Sequence, residues 1–344
     1  MPLASTFRPA RGLASPHLQT IYAALVRPTR TPPLVRQRLE TPDGDFLDVD
    51  RLRVDPEAPH LLVLHGLEGS SRAGYVAATI RAAAARGWGV VALNFRSCSG
   101  EPNRQPRFYH SGETGDARFV LERLRAEVRG PWLGVGFSLG GNVLLRLLAE
   151  TGAECPLRAA AAVSVPFDLH RCARALDRPG SGWMALYRHV FLRSLKRKAI
   201  AKARCHPGLL DAARIRAVRG IEAYDDAVTA PLHGWASAAA YYAACSSGPA
   251  LSRIARPTLL ISAEDDPLAP AAALPADVHD NGNLEVVRAA HGGHVGFVGG
   301  SLLRPRFWAE EQAVAFLAER LRGIGEPGSG ATTDGGQSMF RSKP

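Results

Sequence analysis

The sequence contains no hydrophobic run long enough to cross a membrane. No apolar stretch in its 344 residues reaches the roughly 18 to 20 residues that a spanning helix needs. The first twenty residues also lack the apolar segment and the cleavage site of a secretory signal peptide. We therefore expect neither a transmembrane helix nor secretion, and we predict a cytoplasmic location.

Cysteine is scarce, and its spacing shows no pairing pattern. The chain has five cysteines, an odd number, and no C-x-x-C motif. Scattered cysteines of this kind predict reduced thiols, and they argue against a disulfide framework or a cysteine-based zinc site. The residues are Cys98, Cys155, Cys172, Cys205 and Cys245.

Short apolar runs alternate with helical patterns along most of the chain. Hydrophobic residues make up 46% and charged residues 22%, which is typical of a globular protein. The alternation predicts an α/β fold in one domain over residues 1–322, with a mostly parallel central sheet flanked by helices. The predicted strands are an opening hairpin over 35–54 and buried runs ending at Gly66, Phe95, Phe137, Pro166, Ala263 and Ala289. The predicted helices cover about 73–85, 113–128, 139–150 and 310–321.

Two segments depart from this alternation. Residues 167–250 show no strand pattern, while arginine, alanine and leucine recur there at helical spacing. This segment is predicted to be a helical cap over the carboxyl edge of the sheet, where ligands of such folds bind. Residues 323–344 are rich in glycine and serine, which predicts a disordered tail.

The net charge of +10 is concentrated in the cap. Residues 188–219 hold ten lysines or arginines and one aspartate, a net charge of +9. Over residues 186–203 the apolar positions fall on one helical face, which predicts an amphipathic helix with its cations toward solvent. Such cations would attract anionic membrane surfaces or acidic substrates. We expect no nucleic acid partner, because no aromatic interleaving or known binding module accompanies the charge. The apolar positions are Tyr187, Phe191 or Leu192, Leu195 and Ala199.

Residues 136–140 read Gly-Phe-Ser-Leu-Gly, which fits the G-x-S-x-G nucleophile elbow. An apolar strand pattern precedes Ser138 and an apolar helical pattern follows it, as the elbow requires. The turn is so tight that side chains at 136 and 140 are expected to collide across it, so glycine is needed at both positions. Ser138 is therefore the candidate nucleophile.

A serine nucleophile needs a histidine base and an acid that orients the histidine. In this fold the chain order is serine, then acid, then histidine. Asp265 and Asp266 follow one late strand. Asp266 is preferred because it stands four residues before Pro270, which is the usual offset of the acid in loops of the form G-x-x-D-x-x-x-P, here with Ala263 in the glycine place. Asp265 remains the alternative.

Two histidines follow the next predicted strand. His294 lies deeper in a glycine-rich loop and is the candidate base, whereas His291 is expected to end the strand. A metal-binding His-x-x-His pair is the rival interpretation. Gly292 and Gly293 argue against the helix that would align that pair, and no third ligand is near in the sequence.

The oxyanion of an acyl-transfer reaction needs backbone donors. The candidates are the amides of Leu139, which follows the serine, and Leu67, which lies in the early loop His-Gly-Leu-Glu-Gly. His65 in that loop is expected to shape it and not to act as a base, because the chain order is wrong for a triad histidine. No cofactor is implied, and no G-x-G-x-x-G opens the first βα unit as a dinucleotide site would.

Nine segments of the chain together match the pattern of one family: SPHLQTIY, HGLEGSSRAGY, NFRSCSGEPNR, YHSGETGD, GFSLGGN, TAPLHGW, YYAACSS, ISAEDDPLAP and HGGHVGF. On these segments the chain resembles the AB hydrolase superfamily, type 4 family. This resemblance implies an α/β-hydrolase fold, a triad of Ser138, Asp266 and His294, and carboxylic ester substrates with medium-chain or longer acyl groups. Some relatives transfer acyl groups to alcohols, and eukaryotic members carry an N-terminal membrane helix that this sequence lacks. Ser97 departs from the family pattern, where glycine is expected.

The sequence thus predicts a serine hydrolase that cleaves small-molecule, lipid-like carboxylic esters through an acyl-enzyme on Ser138. One alternative is an acyltransferase that makes esters from alcohols with the same residues. The other is a non-catalytic binding protein on a hydrolase scaffold.

Overall fold

The computed structural model describes residues 7–322, so the predicted disordered tail at 323–344 lies outside the described residues. An eight-stranded sheet forms the centre, in the order β1-β2-β4-β3-β5-β6-β7-β8. β1 pairs with β2, and β2 with β4, in antiparallel fashion, and all other pairs are parallel. The strands are β1 Val35–Glu40, β2 Phe46–Leu52, β3 His60–Leu64, β4 Gly89–Asn94, β5 Trp132–Phe137, β6 Leu157–Val163, β7 Thr258–Ala263 and β8 Leu284–Ala289; a separate short hairpin joins β9 Val298–Gly300 and β10 Pro305–Phe307.

The mostly parallel sheet is confirmed, and each predicted strand forms. Parallel strands are covered by helices on both faces, so their sequences are uniformly apolar instead of alternating. In β3 the side chains of Leu62 and Leu64 point into one core, whereas those of Leu61 and Val63 point into the other. All four side chains are buried.

Helices cover both faces of the sheet. α3 and α4 pack on one face, and α2 and α11 pack on the other. α1 was not among the predicted helices. No helix within residues 7–322 has both the length and the apolar character to span a bilayer. The helices outside residues 167–250 are α1 Pro16–Val26, α2 Gly74–Ala84, α3 Thr114–Leu124, α4 Leu139–Thr151 and α11 Trp308–Arg322.

Residues 167–250, here called the cap, run between β6 and β7. Six helices and a π-helical turn at Asp225–Thr229 make up most of the cap. Most of the buried apolar side chains of the cap form one hydrophobic cluster, which also includes Phe108 and Leu268. The cap helices are α5 Leu169–Asp177, α6 Gly182–Cys205, α7 Ala212–Ala217, α8 Ile221–Tyr224, α9 Ala230–Leu232 and α10 Ala238–Cys245.

The helix α6 buries Tyr187, Leu192 and Ala199, which are apolar positions of the predicted inner face. The prediction that its cations face solvent is wrong for two lysines. Lys202 is buried and donates to the carbonyl oxygens of Asn103 and Gln105, and Lys198 turns inward as well. A long aliphatic stem lets a lysine cross an apolar face while its ammonium reaches a polar partner beyond that face.

A buried arginine ties the end of β4 to the surrounding loops. Arg96 makes a two-point contact with Asp116, at 2.8 and 2.9 Å, and a further ion pair with Asp45 at 2.8 Å. All three side chains are buried. Ser97, the departure from the family pattern, has the left-handed φ of +63° that glycine adopts readily. Its hydroxyl accepts a hydrogen bond from the Asn103 amide at 3.3 Å.

Candidate active site

Ser138 lies in the turn between β5 and α4. Its φ of +50° and ψ of −121° belong to a strained region for a residue with a side chain. A Cβ at Gly136 would lie 2.5 Å from the Gly140 carbonyl oxygen, so glycine is required there for the predicted reason. A Cβ at Gly140 would instead meet the carbonyl oxygens of Leu64 and His65 at 2.5 and 2.4 Å. The end of β3, and not the turn itself, therefore excludes a side chain at Gly140.

The structure brings Ser138, His294 and Asp266 into one chain of contacts. The Ser138 Oγ lies 2.9 Å from His294 Nε2. The other ring nitrogen, Nδ1, lies 2.9 and 3.0 Å from the two carboxylate oxygens of Asp266. Asp266 follows β7 and His294 follows β8, so all three side chains come from the carboxyl ends of parallel strands.

Asp266 is held in a fixed orientation. The carboxylate is buried, and its Oδ1 also accepts hydrogen bonds from the amides of Leu268 and Ala269, each at 2.9 Å. An ionised carboxylate accepts and cannot donate, so it retains the His294 proton on Nδ1. The Nε2 atom is then free to accept the hydroxyl proton of Ser138.

Asp265 and His291 form a separate pair beside this chain. His291 Nδ1 lies 3.3 Å from Asp265 Oδ2, and the His291 side chain is 50% exposed. Asp265 Oδ1 also accepts the amide of Gly293 at 2.9 Å. The alternative acid thus contacts the backbone of the histidine loop and the ring of His291, while Asp266 contacts the His294 ring.

Two residues that the sequence did not single out support the His294 loop. Thr20 of α1 accepts the His294 amide at 2.9 Å, and Ser164 after β6 accepts the Val295 amide at 3.0 Å. Val295 has a φ of +52°, so its strained backbone depends on such anchors. Thr20 lies inside the matching segment SPHLQTIY, which was the available signal.

The predicted oxyanion donors lie in the same cavity as Ser138. Leu67 and Leu139 both line this cavity. Within residues 7–322 neither amide has a hydrogen-bond acceptor. The amide of Gly66 donates to the Tyr75 hydroxyl at 2.9 Å, and that of Glu68 donates to the Tyr109 hydroxyl at 2.7 Å. The Leu67 amide is therefore left available between two occupied neighbours.

His65 is fully enclosed and shapes this loop. Its Nδ1 lies 2.7 Å from the Gly66 carbonyl oxygen, and its Nε2 accepts the Phe95 amide at 3.1 Å. Burial lowers the pKa of His65 to about 4, so the ring is neutral near pH 7. A neutral ring with one donor and one acceptor nitrogen satisfies both contacts.

A largely apolar cavity lies between Ser138 and the cap. The cavity has an empty volume of about 1050 Å³, including the solvent space at its open mouth. Glu68 and Lys198 line it near the Leu67 loop, and Asp225 contributes a carboxyl whose pKa is raised to about 6 by desolvation. The apolar walls include Phe108, Leu176, Phe191, Leu195, Ile221 and Leu232.

Comparisons with known proteins agree with this architecture. A family profile described as "alpha/beta hydrolase fold" matches residues 59–301. The protein named "Putative esterase YheT" of Escherichia coli (strain K12) is 43% identical over 321 residues, which is 92% of this chain and 94% of that protein. "Phospholipase ABHD3" of Mus musculus is 30% identical over 80% of this chain and 70% of its own length. The solved Pyrococcus furiosus esterase Pf2001 matches with a TM-score of 0.54 at 17% identity, over 83% of this chain and 92% of that chain.

Proposed function

The chain belongs to the alpha/beta hydrolase fold family, and we propose that it is a serine hydrolase that cleaves carboxylic esters through an acyl-enzyme on Ser138. The observation that carries the proposal is the 2.9 Å contact between Ser138 Oγ and His294 Nε2. The names of the relatives, esterase and phospholipase, agree with this reaction class. The narrower assignment to type 4 stays a prediction.

The reaction would proceed in two half-reactions. Ser138 Oγ attacks the ester carbonyl carbon while His294 Nε2 takes the hydroxyl proton, and the Asp266 carboxylate stabilises the imidazolium that forms. The amides of Leu67 and Leu139 donate to the carbonyl oxygen as it becomes negative. The bond to the alcohol oxygen then breaks, and the alcohol leaves with the proton from Nε2. Water repeats the sequence on the acyl-enzyme and releases the acid.

The cavity favours an apolar acyl group. Ten of its 26 lining residues are leucine, isoleucine or phenylalanine. Burial of each CH₂ of a substrate against such side chains contributes about 0.8 kcal/mol. We expect activity to rise with acyl length until the chain fills the space beneath the cap. A panel of p-nitrophenyl esters of increasing length would measure this trend.

We also propose that the outer face of α6 attracts anionic membrane surfaces. Arg193 and Arg197 are exposed there, and the exposed apolar side chains Trp183, Leu186 and Val190 precede them on the same helix. Cationic and apolar groups on one helix favour an interfacial position. Sedimentation with phosphatidylserine vesicles at low and high salt would test this, and cell fractionation would test the predicted cytoplasmic location.

The test of the proposed function is the variant Ser138→Ala, with the exposed Ser252→Ala as matched control. Ester cleavage should fall by at least about 1000-fold in the first variant and stay unchanged in the second. A fluorophosphonate should label the wild type at Ser138 and leave Ser138→Ala unlabelled. Equal rates of ester cleavage by the wild type, Ser138→Ala and Ser252→Ala would refute the proposal. New ester formed on addition of an alcohol would identify an acyltransferase instead.

A further inference from the structure

The loop that carries the Leu67 amide is tied to the cap through one side chain. Glu68 follows Leu67, and its carboxylate accepts hydrogen bonds from Lys198 Nζ at 2.9 Å and from the Tyr109 hydroxyl at 2.8 Å. The Ser194 hydroxyl donates to the other carboxylate oxygen. Ser194 and Lys198 are four positions apart on α6, so both extend from the same face of the helix.

Glu68 has a backbone conformation that needs external support. Its φ is +55°, in the left-handed region that residues with a side chain rarely occupy. Such a conformation persists where the surroundings hold it. The Tyr109 hydroxyl holds Glu68 twice, since it accepts from the Glu68 amide and donates to the carboxylate. Tyr109 is itself stacked on Phe95, with ring centroids 5.4 Å apart.

These contacts lie on both sides of the Leu67 amide. On one side of Leu67, the Gly66 amide is fixed by Tyr75 of α2. On the other side, the only cationic partner of Glu68 within residues 7–322 is Lys198 of the cap. The Glu68 side chain is 8% exposed, so loss of the ammonium would leave a largely buried carboxylate without its counter-charge. Such a carboxylate gains by turning toward water, and it would pull the adjacent Leu67 peptide with it.

We propose that Lys198 and Ser194 are positioning residues of the oxyanion hole. They act through Glu68 and hold the Leu67 amide toward the substrate oxygen that becomes negative during attack by Ser138. This inference rests on the proposed function. Because both residues belong to α6, the oxyanion hole is complete only while the cap is docked on the loop, so cap docking and transition-state stabilisation are coupled.

The test compares Lys198→Met with Lys196→Met. Methionine keeps most of the aliphatic stem and removes the ammonium. Lys196 is the matched control because its ammonium donates within the cap, to the carbonyl oxygens of Arg216 and Val218. Loss of a whole oxyanion donor costs about 100-fold to 1000-fold in kcat. For a misplaced donor we expect Lys198→Met to lower kcat by about 10-fold to 100-fold on a short-chain ester, with little change in KM. Lys196→Met should keep the wild-type kcat, and Lys198→Arg should recover most of the loss.

Two kinetic results would overturn the inference. A higher KM with unchanged kcat in Lys198→Met would mean that the lysine only binds substrate. An equal loss of kcat in Lys196→Met and Lys198→Met would mean that both lysines only stabilise the cap. If Lys198→Met fails to fold, Ser194→Ala is the milder variant, and it should lower kcat in the same direction without a change in KM.

A second measurement does not depend on ester cleavage. Hydrogen–deuterium exchange of a peptide that spans residues 65–69 should be faster in Lys198→Met and in Glu68→Gln than in Lys196→Met. Unchanged exchange in this loop would refute the positioning role. Absence of ester cleavage and of phosphonate labelling in the wild type would instead refute the proposed function, so the two failures are distinguishable.

Discussion

The adjacent carboxylates Asp265 and Asp266 permit a sharp test of the proposed mechanism. We expect Asp266→Asn to lower kcat/KM for ester hydrolysis strongly and Asp265→Asn to change it little. Asp266 is buried and lies about 3 Å from the ring nitrogen of His294. At an effective dielectric constant of about 20, two unit charges about 3 Å apart attract by roughly 5 kcal/mol. Loss of this attraction to the imidazolium corresponds to a decrease of about 10³-fold to 10⁴-fold.

Asp265→Asn is the matched control. Its carboxylate is paired with the half-exposed His291 at 3.3 Å, where solvent screens the attraction, and asparagine can still accept the Gly293 amide. We expect kcat/KM within about threefold of the wild type. Steady-state hydrolysis of p-nitrophenyl acetate, with Ser138→Ala as the blank, gives both values. Wild-type activity in Asp266→Asn, or an equal loss in both variants, would refute the assignment of Asp266 as the acid.

Three other perturbations test the packing around the site. Gly140→Ala should lower the free energy of unfolding by about 1 to 3 kcal/mol, because its Cβ would meet the carbonyl oxygens at the end of β3. The control Gly282→Ala, with open space around the new Cβ, should change the urea midpoint little. Equal urea midpoints for the two variants would contradict the predicted collision at Gly140. His65 stays neutral in the folded protein down to about pH 4, but it protonates near pH 6.5 in the unfolded chain. Between these pH values the unfolded state binds more protons. The free energy of unfolding should therefore decrease by about 3 kcal/mol as the pH falls from about 6.5 toward 4. Urea unfolding across this range should show a shallower pH dependence for His65→Gln, and parallel curves would contradict this. Arg96→Met should lower the free energy of unfolding in urea by about 3 to 5 kcal/mol, because it leaves buried aspartates unpaired. Arg197→Met, at an exposed arginine, serves as the control. A decrease of less than about 1 kcal/mol for Arg96→Met would show that the ion pairs of Arg96 contribute little to stability.

The central sheet was predictable because its strands are buried on both faces, which leaves uniform apolar runs in the sequence. The helix α1 was missed although Ser15 and Pro16 give a helix-start signal. Its apolar pattern misleads, because Leu18 and Leu25 are exposed while the polar Gln19 is buried. The Gln19 amide donates to two backbone carbonyl oxygens, so a hydrogen-bonded polar side chain takes the place of an apolar stripe.

The candidate site was predictable as far as chain order and loop position determine it. Sequence reasoning selected Ser138 and His294, and it preferred Asp266 over Asp265 from the offset to Pro270. Adjacent residues in one loop point in different directions, and their burial depends on contacts from elsewhere in the chain. The sequence therefore left the two acids open, and their catalytic roles stay a proposal.

The hydrophobic periodicity of α6 could not predict the contacts of the cap lysines. A helical pattern indicates which face is apolar, but it does not show that a lysine on that face has a partner. Lys198 meets Glu68 across 130 positions of sequence, and Lys202 meets carbonyl oxygens about 100 positions away. Only the folded chain brings these groups together.

The point at which the cap enters and leaves the sheet has a consequence for engineering. The cap departs after β6 and returns at β7, and these strands are neighbours, with Val163 opposite Ile261. A different helical segment could be inserted between these two strands without altering the strand order. Because the cap lines the cavity, such a replacement would change which substrates fit. Such a graft would have to supply a cation opposite Glu68, since otherwise the chimera would bind new esters but turn them over slowly.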